Sequence, residues 1–221
     1  MTLQSRNEFA EAFVIETPRF GFYRDHFKRQ LDILVCLMLA PLVLPIVLVL
    51  ALIIARDGAS PFYWQERIGR NGRVFHMLKL RSMVPDADQM LERYLDENLF
   101  ARREWDEMQK LRIDPRITPI GRLLRTTSLD ELPQLWNVLW GQMSLVGPRP
   151  MMCSQKELYP GNAYFSMRPG ITGYWQISER NETSFAQRAI YDTRYYRELS
   201  LNADLRVLVR TVGVVLAANG Q

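Results

Sequence analysis

"ILVCLMLAPLVLPIVLVLALIIA", residues 33–55, runs for 23 positions without a charged side chain. A helix buried inside a soluble domain is shorter, and crossing a bilayer takes roughly 20 apolar residues. The run is too long and starts too late for a cleavable signal peptide. Pro41 and Pro45 interrupt it. Each removes an amide donor and crowds the carbonyl four residues back, so a bend is expected. As helices, 33–40 would measure about 12 Å and 42–55 about 21 Å, and neither spans a hydrocarbon core of about 30 Å. Arg24, Lys28 and Arg29 precede the run; Arg56, Arg67, Arg70 and Arg73 follow it. Positive flanks favour the cytoplasmic side. A hairpin that enters and leaves by one face satisfies both flanks, whereas a spanning helix satisfies one. Prolines also occur in true spanning helices, so both arrangements stay open.

The chain has 221 residues and a net charge of +4, which suits an anionic partner: nucleic acid, a phospholipid surface or a phosphorylated substrate. Nucleic acid fits poorly, because the basic residues are scattered and no aromatic platform is interleaved with them. Cys36 and Cys153 make no metal-ligand pattern and suit a reducing compartment. No G-x-S-x-G, histidine triad, C-x-x-C zinc pattern or P-loop is present, which excludes those active-site schemes. His26 and His76 read as packing or surface residues.

Around the apolar run, residues 1–27 form a polar tail that passes through the basic "YRDHFKRQLDILV" into the membrane, its charges placed for lipid phosphates. "FYWQERIGRNGRVFHMLKLRSM" predicts a β-hairpin, with Asn71-Gly72 as the type I′ turn. From Asp86 to Arg112, apolar Met90, Leu91, Tyr94, Leu95 and Leu99 recur among alternating charges, an amphipathic helix or helix pair that Asp114-Pro115 ends. "ITPIGRLLRTTS" suits a helix along the lipid interface. A proline- and glycine-rich loop is expected over 147–173 and helix again over 183–218, its last part lying on membrane or core. The fold class is therefore α+β, mainly helical: a membrane-inserted apolar segment, interfacial amphipathic helices and a short β-hairpin.

"TSLDELPQLWNVLWGQMSLVGPRP", residues 127–150, places Asp130 and Glu131 side by side. One reading is structural. Ser128 and Glu131 match a capping box, and Asp130 followed by Pro133 also suits a helix start. The other is chemical. Arg125, Arg149 in Pro-Arg-Pro and Arg168 in Arg-Pro-Gly sit on short stiff segments suited to phosphate. A carboxylate beside them can hold Mg²⁺ or attack phosphorus. Spacing alone leaves both readings standing.

With these stretches and with "RPGITGYWQISERN" and "YDTRYYRELSLNADLRVL", the chain resembles the bacterial sugar transferases, or monotopic phosphoglycosyl transferases, over about residues 28–212. Within them it looks most like exopolysaccharide-initiating enzymes that transfer hexose-1-phosphate. The resemblance implies a re-entrant membrane hairpin (28–57) and a cytoplasmic catalytic domain (58–221) at the bacterial inner membrane. It implies transfer of galactose- or glucose-1-phosphate from a UDP-sugar to undecaprenyl phosphate, with Mg²⁺. Asp130 would be the nucleophile and metal-binding carboxylate, Glu131 the supporting acid, and Arg125, Arg149 and Arg168 the phosphate binders. Lys79, Asp192 and Asp204 match polar positions near the site. A homo-oligomer is compatible with this picture. Ala40 stands where the family carries serine, Pro45 is an added break, and Glu179 stands where glycine is usual. A membrane-anchored adaptor that binds anionic lipid without catalysis is the competing reading; such a chain would be expected to have lost Asp130, Arg125 or Arg149, and all three are present.

Overall fold

Helix α1, Lys28–Ile54, follows directly on a π-turn at Tyr23–Phe27. The computed structural model describes residues 21–108, 111–178, 185 and 187–216. Most of the tail assigned to 1–27 (residues 1–20), and Glu179, lie outside them. The two arms expected on either side of Pro41 form one helix, which continues through both prolines; a proline forfeits one bond of the helical ladder, and the surrounding bonds hold. Tyr23–Asp57 is long and apolar enough to cross a membrane.

The middle of α1 is bare while both ends are seated. Met38 is 71% exposed, Leu42 64% and Leu44 65%, whereas Cys36 is 1% and Ile54 5% exposed. Cys36 packs with Phe75, Met77, Val138 and Val146, and Ala51 and Ile54 pack with Leu80 and Leu124. Polar ties fix the start of the helix. Asp32 accepts from Ser144 Oγ at 2.7 Å and from the Leu145 amide at 3.2 Å. The Lys28 ammonium lies 2.6 Å from the Asp204 carboxylate, which also accepts from the Tyr23 and Tyr195 hydroxyls. At the other end, Arg81 donates to the Ile54 carbonyl and to Asp57.

Strands β1 (Phe62–Ile68) and β2 (Val74–Leu80) pair antiparallel from Phe62↔Leu80 to Ile68↔Val74. Asn71 (φ 60°) and Gly72 (φ 72°) are both left-handed, as the expected turn requires. The amphipathic stretch is a helix pair, α2 (Ala87–Glu97) and α3 (Leu99–Met108). Asn98 breaks it and caps the second member, its side-chain oxygen accepting from the Phe100 and Ala101 amides. Leu95, Ala101 and Leu111 form a small core between the two helices.

Helix α4 (Pro119–Thr127) starts at Thr118, whose hydroxyl accepts from the Gly121 amide at 2.9 Å. Gly121 lies so close to β2's exit that a Cβ there would stand 1.8 Å from the Ser82 carbonyl oxygen. A 3₁₀ turn, Leu129–Glu131, leads to α5 (Gln134–Leu139). Two short strands, β3 (Ser144–Val146) and β4 (Gly170–Thr172), pair in parallel. Between them lies α6 (Ala163–Ser166), and α7 (Arg188–Glu198) and α8 (Leu201–Leu216) follow. On α8, Ala203 and Val207 are buried while Leu205, Val209 and Val212 are exposed, the two-faced pattern expected of a helix lying on a surface.

Candidate active site

Ser128 takes a left-handed conformation (φ 57°) that stops α4 and turns the chain across β2. The capping reading of the acid pair therefore fails: α5 begins after Pro133, and neither Ser128 nor Pro133 makes a side-chain cap bond. Asp130 and Glu131 instead point at Lys79 on β2. Lys79 Nζ stands 2.7 Å from Glu131 Oε1 and 3.8 Å from Asp130 Oδ2. Asp130 is buried, 8% exposed. Burial pushes its carboxyl above the usual range, Lys79 and Arg125 oppose that, and Glu131 adds to it.

What holds this geometry is a residue that the sequence reading passed over. Asn137, 1% exposed on α5, accepts from the Leu78 amide at 3.0 Å and donates to the His76 carbonyl at 2.8 Å. Its side chain serves β2 as a strand neighbour would, so α5 and the turn before it cannot slide relative to Lys79. On the other flank, Arg125 Nε donates to Ser82 Oγ at 2.9 Å. Burial lowers the proton affinity of Arg125, and the Asp130 charge opposes the shift.

Arg149 belongs to a second wall. Gly147 and Gly170 let the "GPRP" and "RPG" segments touch: a Cβ on Gly170 would lie 2.1 Å from the Gly147 nitrogen, and the Gly170 amide bonds the Pro148 carbonyl at 2.8 Å. The clasp presents Arg149 over Trp175, its guanidinium 5.5 Å from the ring centroid, with that of Arg188 at 4.1 Å. These residues line a narrow cavity with Tyr159, Tyr164 and Asp192. Arg67 bonds the Pro150 carbonyl at 3.1 Å. Burial, with Arg149 next in effect, pushes its guanidinium down to about 10, and the Glu131 charge opposes that. Arg188 is likewise pushed down to about 10 by burial and then by Arg149. Neither Arg67 Nε nor Arg188 Nε has a hydrogen-bond partner among the described residues. Buried unpaired donors are costly, and an anion would satisfy them. Arg67 was legible only as a flanking charge, and Arg188 had no signal in the sequence.

The remaining predicted residues divide. Asp192 lines the cavity and accepts from the Tyr159 hydroxyl at 2.7 Å; burial pushes its carboxyl up to about 7. Arg168 does not join the acid pair: its Nε donates to the Gly141 carbonyl at 2.8 Å, beyond the far end of α5. Asp204 is bound to Lys28, Tyr23 and Tyr195, so it moors α1. Among the described residues no three acids, histidines or cysteines gather into a metal cage. The acid pair offers two carboxylates, a set that suits Mg²⁺ when substrate phosphates and water supply the other ligands.

Residues 23–218 match the family model described as bacterial sugar transferase. The chain is 48% identical over 195 residues to a UDP-galactose-lipid carrier transferase of Erwinia amylovora, covering 87% of this chain and 41% of that protein. It is 44% identical over 199 residues to the exopolysaccharide production protein ExoY of Sinorhizobium fredii, covering 87% of each. It is 42% identical over 195 residues to an undecaprenyl-phosphate galactose phosphotransferase of Salmonella typhimurium, covering 87% of this chain and 41% of that protein. The chain thus spans less than half the length of two of these relatives and most of the third. It belongs to the bacterial sugar transferase family.

Proposed function

We propose that the protein transfers a hexose-1-phosphate, galactose or glucose, from a UDP-sugar to undecaprenyl phosphate through a phosphosugar–aspartyl intermediate. The observation that carries this is the buried Asp130 carboxylate beside Lys79, together with a wall where Arg149 and Arg188 stand over Trp175. The names of the relatives support the substrate classes: a UDP-galactose-lipid carrier transferase in Erwinia amylovora, an undecaprenyl-phosphate galactose phosphotransferase in Salmonella typhimurium and a UDP-glucose:undecaprenyl-phosphate glucose-1-phosphate transferase in Klebsiella pneumoniae.

In this mechanism the UDP-sugar diphosphate sits against Arg67, Arg149 and Arg188. An Asp130 oxygen attacks the β-phosphorus, the new Oδ–P bond forms, and the bond to the bridging oxygen breaks. UMP leaves with that electron pair. An oxygen of undecaprenyl phosphate then attacks the same phosphorus, the Oδ–P bond breaks, and the carboxylate returns. Lys79 and Arg125 favour the ionised nucleophile, and Glu131 orients Lys79 and accepts a proton or a metal contact. Asp130 and Glu131 would hold Mg²⁺, which when bound offsets the diphosphate charge.

We also propose that α1 re-enters the cytoplasmic face of the inner membrane and does not cross it. One body grips both ends of the helix: Cys36 lies in the core cluster that includes Phe75 and Met77 of β2, and Ala51 and Ile54 lie in the cluster that includes Leu80 at the end of β2. The interval between the two grips, residues 37–50, is about 21 Å long as a straight helix, short of a hydrocarbon core of about 30 Å. A polar domain cannot hold both ends of a helix that spans. Entry by one face leaves residues 58–221 on the cytoplasmic side and puts Asp130 within reach of a lipid-borne phosphate.

The test is to incubate the detergent-purified chain with UDP-galactose or UDP-glucose and Mg²⁺ but no acceptor. Peptide mass spectrometry should find one hexose-phosphate on Asp130, with UMP released in equal amount. UMP release with no adduct, or turnover retained by Asp130→Asn, would remove Asp130 from this role.

A further inference from the structure

We infer that Arg29 and Arg168, which meet the last carbonyls of α5 beside the exposed Trp136–Trp140 pair, bind the phosphate of an anionic phospholipid head group together with Arg70 on the β1–β2 turn. The cluster lies at the end of α5 remote from the acid pair. Arg29 reaches from α1 to the Val138 and Leu139 carbonyls at 2.5 and 2.8 Å, and Arg168 takes the Gly141 carbonyl at 2.8 Å. The turn that carries Arg70 packs on α6, which ends two residues before Arg168. Burial, then the charges of Arg29 and Arg70, lower the proton affinity of Arg168, as expected of guanidinium groups held together.

Helix capping explains only part of this cluster. The carbonyl end of a helix carries about half a negative charge, whereas three guanidinium groups bring three positive ones. Among the described residues none of the three forms an ion pair. Asp32 also acts on Arg168 through space, but its oxygens are engaged by Ser144 and the Leu145 amide. Each guanidinium has five N–H donors in a fixed fork, and the carbonyls take one or two from Arg29 and Arg168.

Depth selects a lipid as the occupant. Arg29 stands four residues before the uncharged run that starts at Ile33, the level of the head groups if that run lies in the bilayer; the inference rests on that part of the proposed function and on no catalytic step. Trp136 and Trp140 are 52% and 68% exposed and lie one helical turn apart, ring centroids 5.8 Å from each other and planes tilted by 53°. Exposed indoles are costly in water and preferred at the membrane interface. Arginines beside them match the phosphate of an anionic lipid.

Native mass spectrometry of the detergent-purified full chain, with added phosphatidylglycerol, phosphatidylcholine or inorganic phosphate, tests this directly. One phosphatidylglycerol should stay bound in preference to phosphatidylcholine, and inorganic phosphate should not displace it. Arg70→Gln, an exposed turn residue, should weaken retention about tenfold, the loss of one charge-assisted contact. Arg73→Gln, exposed on the same turn with the same charge change, should not. Trp140→Ala should weaken it as well. Equal retention of the two lipids, equal effects of the two arginine variants, or displacement by inorganic phosphate would overturn the inference. The assay needs neither UDP-sugar nor acceptor, so its failure leaves the catalytic proposal standing, and loss of UMP release leaves the lipid site standing.

Discussion

Lys79 and Glu131 are separated by 52 positions, yet their side chains meet at 2.7 Å, with Lys79 also 3.8 Å from Asp130. One ammonium thus serves two adjacent carboxylates. Its charge opposes the rise that burial imposes on the first carboxyl.

That arrangement predicts a pH effect. The raised carboxyl of Asp130 must ionise before it can attack, so activity should rise with pH along an acid limb above the ordinary aspartate range. Lys79→Met removes the main opposing charge. The limb should move further toward alkaline pH, so kcat should fall most on the acid side of the profile. A pH–rate profile of UMP release measures both; an unmoved limb would show that Lys79 does not set the ionisation.

Arg188 is expected to act on donor binding. Arg188→Gln should raise KM for the UDP-sugar about tenfold, the worth of one charge-assisted hydrogen bond, with a smaller change in kcat. Steady-state kinetics separate the two, and an unchanged KM would take Arg188 out of the donor site.

Asn137→Ala should strip Leu78 and His76 of their buried partner. Two unsatisfied backbone groups cost on the order of 2–4 kcal/mol, read as a lowered denaturation midpoint in detergent. Asn137→Asp keeps the acceptor for Leu78 and loses the donor for His76, so it should fall between wild type and alanine.

Asp192 predicts a stability profile. Its carboxyl is raised from 3.8 to about 7 by burial, so the folded state holds a proton that the unfolded state releases. Stability from this group is present below about pH 3.8 and is lost as pH rises toward 7. Asp192→Asn, which can still accept from Tyr159, should match wild type at the acid end and be more stable above neutrality. Melting temperatures measured across that range check the sign.

Much of this was legible in the chain because it depends on near neighbours. Asn71-Gly72 specified a left-handed turn, and alternating residues on either side specified the hairpin. Proline and glycine around Arg149 specified a stiff segment. The acid pair was legible as a site, but its two readings were equivalent locally, because cap and nucleophile use the same residues. The left-handed Ser128 removes the capping reading, because α4 ends there and α5 begins only after Pro133. The sequence places Arg168 among the phosphate binders and Asp204 at a polar position near the site. Packing gave one to the Gly141 carbonyl and the other to Lys28.

The sequence by itself determined that this protein carries an apolar helix, a tight β-hairpin and an acid pair among arginines, since each depends on side-chain chemistry within a few residues. Only the tertiary structure decided which charges meet. Lys79, Glu131, Arg67 and Arg149 come from separate elements, and their juxtaposition depends on Asn137 locking α5 to β2 and on the glycine clasp between Gly147 and Gly170. Electrostatic energy depends on distance in space and on burial, and neither quantity is written in the order of residues along the chain.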